Sequence, residues 1–244
     1  MSLGEWIKIY LWIARRMGYS VLKDQLAALI LLLIALGKLV GKRELERIIR
    51  NRAVVVFGAG PSLEYDVIRF KRLYDKGFKP IIVSADGATK ALIEIGLKPD
   101  IIVTDLDGYL PAIVYSNLKN SYVVVHAHGD NIDKLISYVR FFRKIIGTTQ
   151  VMPLPKIYNF GGFTDGDRCI YLAYSLKARY VLLFGMDFGS KVGRYSKEFI
   201  SDYKTKIVKL AIGKLLISLL SNRIKIYNAT YSKPVIKGVE NIEL

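Results

Sequence analysis

The sequence predicts an α/β fold, in which a mostly parallel sheet carries helices on both faces. Short apolar runs rich in valine and isoleucine alternate with segments of helical spacing from residue 53 onward, and this alternation is typical of parallel sheets. Most of these runs end directly in glycine or aspartate, as strands do at a ligand-binding edge. Residues 1–52 show helical spacing only, so we divide the chain into an N-terminal helical segment, 1–52, and an α/β domain, 53–244.

The N-terminal segment is expected to form three helices. The first is indicated by apolar residues at steps of three and four, namely Trp6, Ile9, Tyr10, Ile13 and Met17. A more apolar helix over residues 22–40 and a short amphipathic helix over residues 42–50 follow. We expect a helical cap or an oligomerisation element, which makes a homodimer one expected assembly, and we assign no chemistry to it.

Six strands are predicted in the α/β domain. They lie in AVVVFGAG, in the runs at 81–83 and 101–103, in SYVVVHAHGDN, in RYVLLFGMDFG and in RIKIYNAT. Pro61 marks the start of the first intervening helix and Gly77 its end, and Gly96 ends the second. A helix is predicted over NIDKLISYVRFFRKI, whereas residues 148–160, with two prolines, are predicted to be a broken strand or a loop. A long helix over residues 203–222 precedes the last strand.

The chain is strongly basic, with a net charge of +16 over 244 residues. The excess lies outside the middle of the chain, because residues 1–52 carry ten basic and four acidic side chains and residues 191–237 carry eleven and two. Such a surface attracts nucleic acid and ATP alike. The sequence contains no RNA- or DNA-binding motif and no zinc knuckle, so we expect a small polyanion and no specific nucleic acid as the partner.

Composition also limits the metal chemistry and the location. Cys169 is the one cysteine, which excludes an intramolecular disulfide and any multi-cysteine zinc or iron–sulfur site. The longest apolar run, residues 26–36, has eleven residues, whereas a membrane-spanning helix needs about 20. We therefore expect no membrane span, no cleavable signal peptide and a cytoplasmic location.

Acidic side chains follow two neighbouring predicted strands. Asp86 ends the first, and Asp105 and Asp107 end the second. The carboxyl ends of parallel strands lie at one edge of a sheet, and residues i and i+2 of an extended segment share a face, so the three carboxylates should converge. Two carboxylates about 4 Å apart repel by on the order of 4 kcal/mol. A proton or a cation must relieve this repulsion, and the donor set favours Mg²⁺ shared with a polyphosphate.

The turn after the first strand is rich in glycine. Gly58, Gly60, Pro61 and Ser62 connect the strand to a helix, and free N–H groups in such a turn can hold phosphate. The turn imitates that of a dinucleotide-binding fold, so a nicotinamide-dependent oxidoreductase stays an alternative, although Leu63 replaces the third glycine of that motif. The TDLDG stretch likewise imitates haloacid-dehalogenase phosphatases, but that motif usually lies in the first strand of its domain.

Both histidines of the chain lie in HAHGDN, at the end of the fourth predicted strand. His126 and His128 are two residues apart and should face the same way, and contact with phosphate is the role that we assign to them. Asp130 and Asn131 can cap the helix that follows. A cap without chemistry is one alternative, and a transition-metal site is another, for which the stretch offers no third strong ligand.

Two further turns combine glycine with groups suited to a heterocycle and a phosphate. In NFGGFTDGDR, Gly161 and Gly162 permit close backbone approach to a ligand. Phe163 can stack on a planar ring, and Arg168 can bind phosphate through its forked donors. In GMDFG, Asp187 can accept hydrogen bonds from the amino and ring N–H groups of a heterocycle, or else bond its own turn.

The motifs FGAGPS, ADGA, PDIIV-x-DLDG, HAHGDN, NFGGFTDGDR and GMDFG occur in this order. Over about residues 53–220, the chain resembles the archaeal 6-hydroxymethyl-7,8-dihydropterin pyrophosphokinases and, more distantly, the catalytic half of thiamine pyrophosphokinases. The resemblance implies a thiamine-pyrophosphokinase-like fold and a Mg²⁺-dependent enzyme of folate- or methanopterin-type pterin biosynthesis. Such an enzyme transfers diphosphate from ATP, its co-substrate, to the pterin and releases AMP. Thiamine or another hydroxymethyl heterocycle is the alternative acceptor, and an oxidoreductase or a basic RNA-binding protein are alternatives of other classes.

Motifs and resemblance together assign a role to each candidate residue. The metal ligands are Asp86, Asp105 and Asp107, and the catalytic group adds Arg168 and Asp130, the latter loosely, since thiamine enzymes have threonine in place of Gly129. The proton acceptor is Asp130 or Asp165, and lysines in KVGRYSKEFISDYKTKIVKLAIGK can close over phosphates. The ATP and phosphate group is Gly58, Gly60, Pro61, Ser62, His126, His128, Asn131, Gly161 and Gly162. The pterin group is Phe163, Thr164, Asp165, Asp167 and Asp187, with Thr164 or Asp165 also a natural helix N-cap.

Overall fold

The computed structural model describes residues 1–189, 191–196 and 203–244. Within these residues the strands form a single sheet in which every pair is parallel. The strands are β1 (Ala53–Phe57), β2 (Ile81–Ala85), β3 (Ile101–Thr104), β4 (Tyr122–Ala127), β5 (Ile145–Thr149), β6 (Ile157–Tyr158), β7 (Tyr180–Phe184), β8 (Ile226–Asn228) and β9 (Glu240–Asn241). The predicted α/β class is confirmed.

Helices cover both faces of this sheet, as predicted. They are α1 (Leu3–Met17), α2 (Val21–Ile34), α3 (Lys42–Ile49), α4 (Leu63–Asp75), α5 (Ala88–Glu94), α6 (Leu110–Leu118), α7 (Ile132–Tyr138), α8 (Asp165–Ser175) and α9 (Tyr203–Leu220). Short 3-10 turns span Gly129–Asn131 and Val139–Phe141. Val54 and Val56 of β1 lie in the core under α1, α3, α8 and α9, whereas Val55 and Phe57 lie in the core under α4 and α5.

The order of the strands creates a crevice at one edge of the sheet. That order is β6-β5-β4-β3-β2-β1-β7-β8-β9, so the chain builds outward from β1 to β6 and then returns to the other side of β1. Such a reversal leaves a ligand crevice outside the carboxyl ends of the two central strands. Phe57 is in register with Ser84 of β2 and Phe184 of β7. The three strands therefore end level, and the turns after them lie side by side.

Two strands differ from the sequence prediction. Residues 145–149 form β5, although the sequence suggested a helix as far as residue 145 and a broken strand or loop from residue 148 onward. Every residue of β5 is buried, so the alternation that marks a half-exposed strand is absent and its apolar residues fit either a strand or a buried helix. The two-residue β9 was not predicted, because both of its residues are exposed and only their pairing with β8 defines them as a strand.

The N-terminal helices wrap around the sheet. On α1, Trp6, Tyr10 and Ile13 belong to the core of one face, whereas Ala28 and Leu31 of α2 belong to a core of the opposite face. The two helices meet at an angle of 115°, and their junction passes over the carboxyl edge of the sheet. A division of the chain at residue 52 stays a prediction, but the first segment shares both of its cores with the sheet.

The described helices are short or only partly apolar. No single one of them combines the length and apolarity needed to cross a bilayer. Among the described helices, only α1 and α2 taken together are long and apolar enough, and the chain is sharply bent between them.

The shared core predicts that α1 unfolds together with the sheet. Ile13 is fully buried, so Ile13→Ala should lower the free energy of unfolding by about 2–5 kcal/mol in one cooperative transition, measured by urea denaturation followed by circular dichroism. Leu11→Ala on the same helix is the matched control, since Leu11 is 40% exposed and its loss should cost far less. A separate early transition confined to Ile13→Ala would show instead that α1 is an independent unit.

Candidate functional site

The glycine turn after β1 is bonded to the end of β7. The N–H of Gly58 donates to the carbonyl of Phe184 (2.9 Å), and the N–H of Gly60 donates to that of Gly185 (2.8 Å). A Cβ on Gly60 would lie 2.6 Å from the Gly185 oxygen, so only glycine permits this approach. The sequence had suggested that the N–H groups of this turn hold phosphate. Those of Gly58 and Gly60 are instead bonded within the protein. The turn instead provides a close backbone wall, and Gly58, Gly60 and Pro61 line a cavity.

Asp187 completes the glycine turn. Its Oδ2 atom accepts a hydrogen bond from the N–H of Ser62 and lies equally close to the hydroxyl of Ser62, at 3.1 Å in both cases. The same hydroxyl lies 2.8 Å from Oδ2 of Asp66, a fully buried carboxylate that also accepts from the N–H of Gly185. The contacts seen for Asp187 order the two turns, and Ser62 serves the same network. Asp187 also lines the cavity, and its contact with a heterocycle stays a prediction.

Asp86, Asp105 and Asp107 converge as predicted. Each offers a carboxylate oxygen, and these oxygens lie within 4.8 Å of one another. Asp86 adopts a left-handed backbone (φ +42°), and its Oδ1 accepts a hydrogen bond from the Thr104 hydroxyl. A side chain at Gly108 would collide with the Asp86 carboxylate, so the DLDG stretch needs glycine at that position.

The reason for the convergence differs from the prediction. Extended alternation was expected to place Asp105 and Asp107 on one face. Instead β3 ends at Thr104, and Leu106 is left-handed (φ +68°) with its side chain buried. The Leu106 N–H donates to the Thr104 hydroxyl oxygen at 2.8 Å. This tight turn, and not a strand, holds the two carboxylates together.

The acidic cluster carries strong electrostatic repulsion. Burial, followed by the negative charges of Asp165, Asp105 and Asp107, raises the pKa of Asp86 well above the ordinary value for aspartate. Carboxylate oxygens are hard donors, and a group of three on one rim fits a divalent cation such as Mg²⁺. The residues present therefore suit the metal that the sequence predicted.

The HAHGDN loop supports the cluster from β4. His128 Nε2 lies 3.4 Å from Asp105 Oδ2, and the side chain of Asn131 donates to the carbonyls of Asp105 and His126, both at 2.8 Å. Asn131 also accepts from the backbone N–H of His128 at 3.0 Å, so its amide is engaged in fixing the loop. Although Asn131 touches a cavity wall, these bonds make it a structural residue rather than the predicted phosphate ligand.

The two histidines have different surroundings. Their rings stack with centroids 5.9 Å apart, as the prediction that they face the same way requires. His126 is buried, its Nδ1 lies 3.3 Å from the Thr148 hydroxyl, and burial followed by the charge of Arg168 lowers its pKa well below the ordinary value. His126 lines neither of the two cavities described below, which does not suit the predicted phosphate contact. His128, in contrast, lines a cavity together with Asp130.

The start of α8 corrects three further assignments. Asp167 is fully buried, and its carboxylate accepts from the N–H groups of Phe163 and Thr164 and from the Thr164 hydroxyl. This capping box makes Asp167 a structural residue and Thr164 the N-cap. Gly161 and Gly162 have left-handed backbones and pack against Tyr171 and Arg168, in that order, so they shape the turn. Neither glycine lines either of the two cavities described below.

Arg168 is held from two sides. One guanidinium nitrogen, Nη2, donates to Gln150 Oε1 at 2.9 Å, and Nη1 lies 3.6 Å from Asp165 Oδ1. The side chain is only 8% exposed, and Nε has no hydrogen-bond partner among the described residues. A buried donor in a cavity wall is suited to an anionic ligand.

Two cavities meet at the acidic cluster. The first, of about 270 Å³, lies at the crevice between β1 and β7 and is lined by the glycine turn, by residues 185–188 and by Lys191, Lys206 and Lys209. The second, of about 190 Å³, lies beyond β3 and β4. Lys197, another lysine of the predicted phosphate-closing segment, lies outside the described residues. Both cavities are lined by Asp105, Asp107, Phe163, Arg168 and Lys209.

Sequence reasoning missed part of the second cavity. Its inner wall includes Tyr19, Ser20, Lys23, Asp24 and Gln150, and four of these five residues belong to the segment to which no chemistry was assigned. No motif marks them. The sequence gives one signal for this wall, which is Asp24 beside an apolar helical stretch. A charged side chain is rarely buried unless it is paired.

Comparison with known proteins identifies the family. The model of the family described as "6-hydroxymethylpterin diphosphokinase MptE-like" matches residues 32–193. The chain belongs to this MptE-like family. Two curated relatives named 6-hydroxymethyl-7,8-dihydropterin pyrophosphokinase match almost end to end. The protein from Methanocaldococcus jannaschii is 41% identical over 237 residues, covering 93% of this chain and 98% of the relative, and that from Pyrococcus furiosus is 42% identical, covering 91% and 95%.

Other matches of this MptE-like chain are more limited. A relative of the same name from Methanothermobacter thermautotrophicus is 51% identical over 143 residues, covering 59% of this chain and 60% of the relative. Among solved structures, the MAf glycosyltransferase from Magnetospirillum magneticum AMB-1 aligns with a TM-score of 0.52 and 15% identity, over 84% of this chain and 38% of that one. The likeness to the glycosyltransferase shows a shared fold alone.

The repulsion at Asp86 gives a testable consequence. Asp86→Asn keeps the shape and the acceptor for Thr104 but removes one buried negative charge, so the metal-free protein should gain stability, by about 1 kcal/mol or more. The stabilisation that Mg²⁺ gives to the wild type should largely disappear in this variant. Both effects can be followed by thermal melting with and without Mg²⁺. A variant that melts lower than the wild type without metal and keeps its full response to Mg²⁺ would contradict the assignment.

Proposed function

We propose that this chain transfers the diphosphate of ATP to 6-hydroxymethyl-7,8-dihydropterin, giving the pterin diphosphate and AMP in archaeal pterin biosynthesis. The observation that carries the proposal is the acidic cluster of Asp86, Asp105 and Asp107 at the meeting point of two cavities. Membership of the MptE-like family and the names of the two near full-length relatives support the same reaction. ATP is the co-substrate, because a pyrophosphokinase draws its diphosphate from a nucleoside triphosphate.

The reaction is a substitution at the β-phosphorus of ATP. The hydroxymethyl oxygen of the pterin forms a bond to this phosphorus, the bond from phosphorus to the oxygen shared with the α-phosphate breaks, and AMP departs with that oxygen. The proton of the hydroxyl passes to a carboxylate of the site, for which Asp130 lines the second cavity and Asp165 the first. No covalent bond to the protein is formed.

Charge and position supply most of the catalysis in such a reaction. Asp86, Asp105 and Asp107 would hold Mg²⁺, which when bound neutralises phosphate charge. Arg168 places its buried guanidinium between the cavities, where it can donate to the transferred group. His128 keeps its Nε2 atom beside Asp105 and accepts the Asp130 N–H at Nδ1, which orients the loop and leaves its ring unsuited to act as the base.

The first cavity is the place that we assign to ATP. It lies at the reversal of strand order, between the turns after β1 and β7, where open parallel sheets bind their nucleotides. Lys191, Lys206 and Lys209 also line it, and their positive charges can attract the triphosphate. The glycine turn contributes shape, because its backbone can approach a ligand without side chains in the way.

The location and the assembly are part of the proposal. A cytoplasmic location is supported by the dependence of the proposed reaction on ATP. The homodimer stays a prediction, and the surface for it is the outer side of α2, where Leu22, Leu26 and Leu33 are 83%, 51% and 59% exposed. Light scattering of the full chain should give a mass near twice 27.6 kDa.

The proposed reaction predicts which carboxylates turnover needs. Asp105→Asn and Asp107→Asn should each lower kcat by at least about a hundredfold, because each removes a charge that holds the metal at the transferred diphosphate. Asp133→Asn, at an exposed position of α7, is the matched control and should keep full activity.

The assay that tests this prediction is the formation of AMP from ATP and 6-hydroxymethyl-7,8-dihydropterin, with the nucleotides separated by anion-exchange chromatography. The appearance of ADP in place of AMP would point to an ordinary kinase. Near-normal turnover of either active-site variant, with melting temperature unchanged, would remove the acidic cluster from the mechanism.

A further inference from the structure

The second cavity lies on the far side of the acidic cluster from the glycine turn. It is bounded by the junction of α1 and α2, by the loop after β4 and by the residue after β5. In a substitution at phosphorus, the attacking and leaving oxygens stand on opposite sides of the phosphorus atom. If ATP occupies the first cavity, the attacking group must come from the opposite side, and the second cavity opens there.

The second cavity has an aromatic wall. The rings of Tyr19 and Phe163 lie with centroids 6.1 Å apart at an angle of 43°, and both residues line the cavity. Lys209 Nζ lies 5.4 Å from the centre of the Tyr19 ring, which holds that ring against the site. Among the described lining residues, these two rings offer the broad apolar surface against which a flat heterocycle can pack.

The floor of the cavity is a rigid polar network. The amide of Gln150 accepts from Arg168 at 2.9 Å and donates to Asp24 Oδ2 at 3.0 Å, so both of its ends are fixed. Oδ2 of Asp24 also accepts from the Tyr10 hydroxyl, while Oδ1 accepts from the N–H of Gly129 at 2.7 Å. A carboxylate oxygen can accept two hydrogen bonds, and the described contacts give Oδ1 one. Asp24 thus keeps acceptor capacity in the cavity wall.

We propose that the second cavity is the pocket of the acceptor, in which Tyr19 and Phe163 pack against its ring and Asp24 Oδ1 accepts a hydrogen bond from its exocyclic amino group. This inference rests on the proposed function. The ligand class is a flat bicyclic heterocycle with an exocyclic amine beside a ring N–H, as in a pterin. Of the two candidate proton acceptors, Asp130 lines this cavity and Asp165 lines the first, so Asp130 is the one that takes the proton of the acceptor's hydroxyl.

Binding measurements on the full chain test the pocket separately from turnover. Calorimetry would follow 6-hydroxymethyl-7,8-dihydropterin in the presence of Mg²⁺ and α,β-methylene-ATP, whose α–β bridge cannot be cleaved. Asp24→Asn should raise the Kd of the pterin by about tenfold or more and leave the Kd of the nucleotide within about twofold. A pterin analogue without the exocyclic amine should bind the wild type weakly and show little further loss in Asp24→Asn.

Tyr19→Leu provides a second, less buried variant. It should also weaken the pterin selectively, whereas Tyr115→Leu, at a tyrosine that is 50% exposed on α6, is the matched control and should change neither Kd. If Asp24→Asn fails to fold, as its buried network allows, Tyr19→Leu decides the question alone.

Two results would overturn the assignment of the pocket. One is an unchanged Kd for the pterin in folded variants at Tyr19 and Asp24, and the other is a selective loss of nucleotide affinity. Failure of the proposed function looks different, because the wild type would then yield no AMP and no pterin diphosphate in the turnover assay, whatever the variants bind.

Discussion

The carboxyl edge of this sheet is organised around a group of like charges that the protein holds close together. Oxygens of Asp86, Asp105 and Asp107 lie within 4.8 Å of one another, and each pair of charges at such a distance repels by on the order of 4 kcal/mol in a medium of intermediate polarity. Rigid elements maintain the arrangement: level parallel strands, a left-handed Leu106, and a hydroxyl of Thr104 that serves both Asp86 and the turn. A divalent cation held among the three oxygens would relieve this repulsion.

A second chain of polar contacts runs from the N-terminal helices to the same centre. Tyr10, Asp24, Gln150 and Arg168 are all buried and linked in series. Burial, followed by the hydrogen bond to Asp24, raises the pKa of the Tyr10 hydroxyl, so it stays protonated and remains a donor. Buried polar groups are tolerated when every member is bonded, and such networks are rigid. The orientation of Arg168 therefore depends on the packing of helices that lie far from it in sequence.

The parts of the site that could be predicted are those that follow strands. Asp86 and Asp105 were found from the sequence because a strand end fixes position in a parallel sheet, whatever the rest of the fold does. Predictions that depended on the direction of a hydrogen bond fared worse. The Gly60 N–H points to β7 and Asp167 caps its own helix, and a sequence does not show which of several acceptors a donor reaches. The fully buried β5 was missed because it has no alternation to detect.

The wall that contains Tyr19 and Asp24 was beyond prediction for a different reason. Its residues reach the site only because α1 and α2 lie on opposite faces of the sheet and their junction crosses the edge. The family model matches residues 32–193, which include the acidic cluster, the glycine turn and Arg168 but neither Tyr19 nor Asp24. The contacts that we propose for the acceptor therefore lie partly outside the residues that the family model matches. In the proposed arrangement the junction of two helices contacts the acceptor, whereas the groups assigned to the diphosphate lie at the ends of the strands.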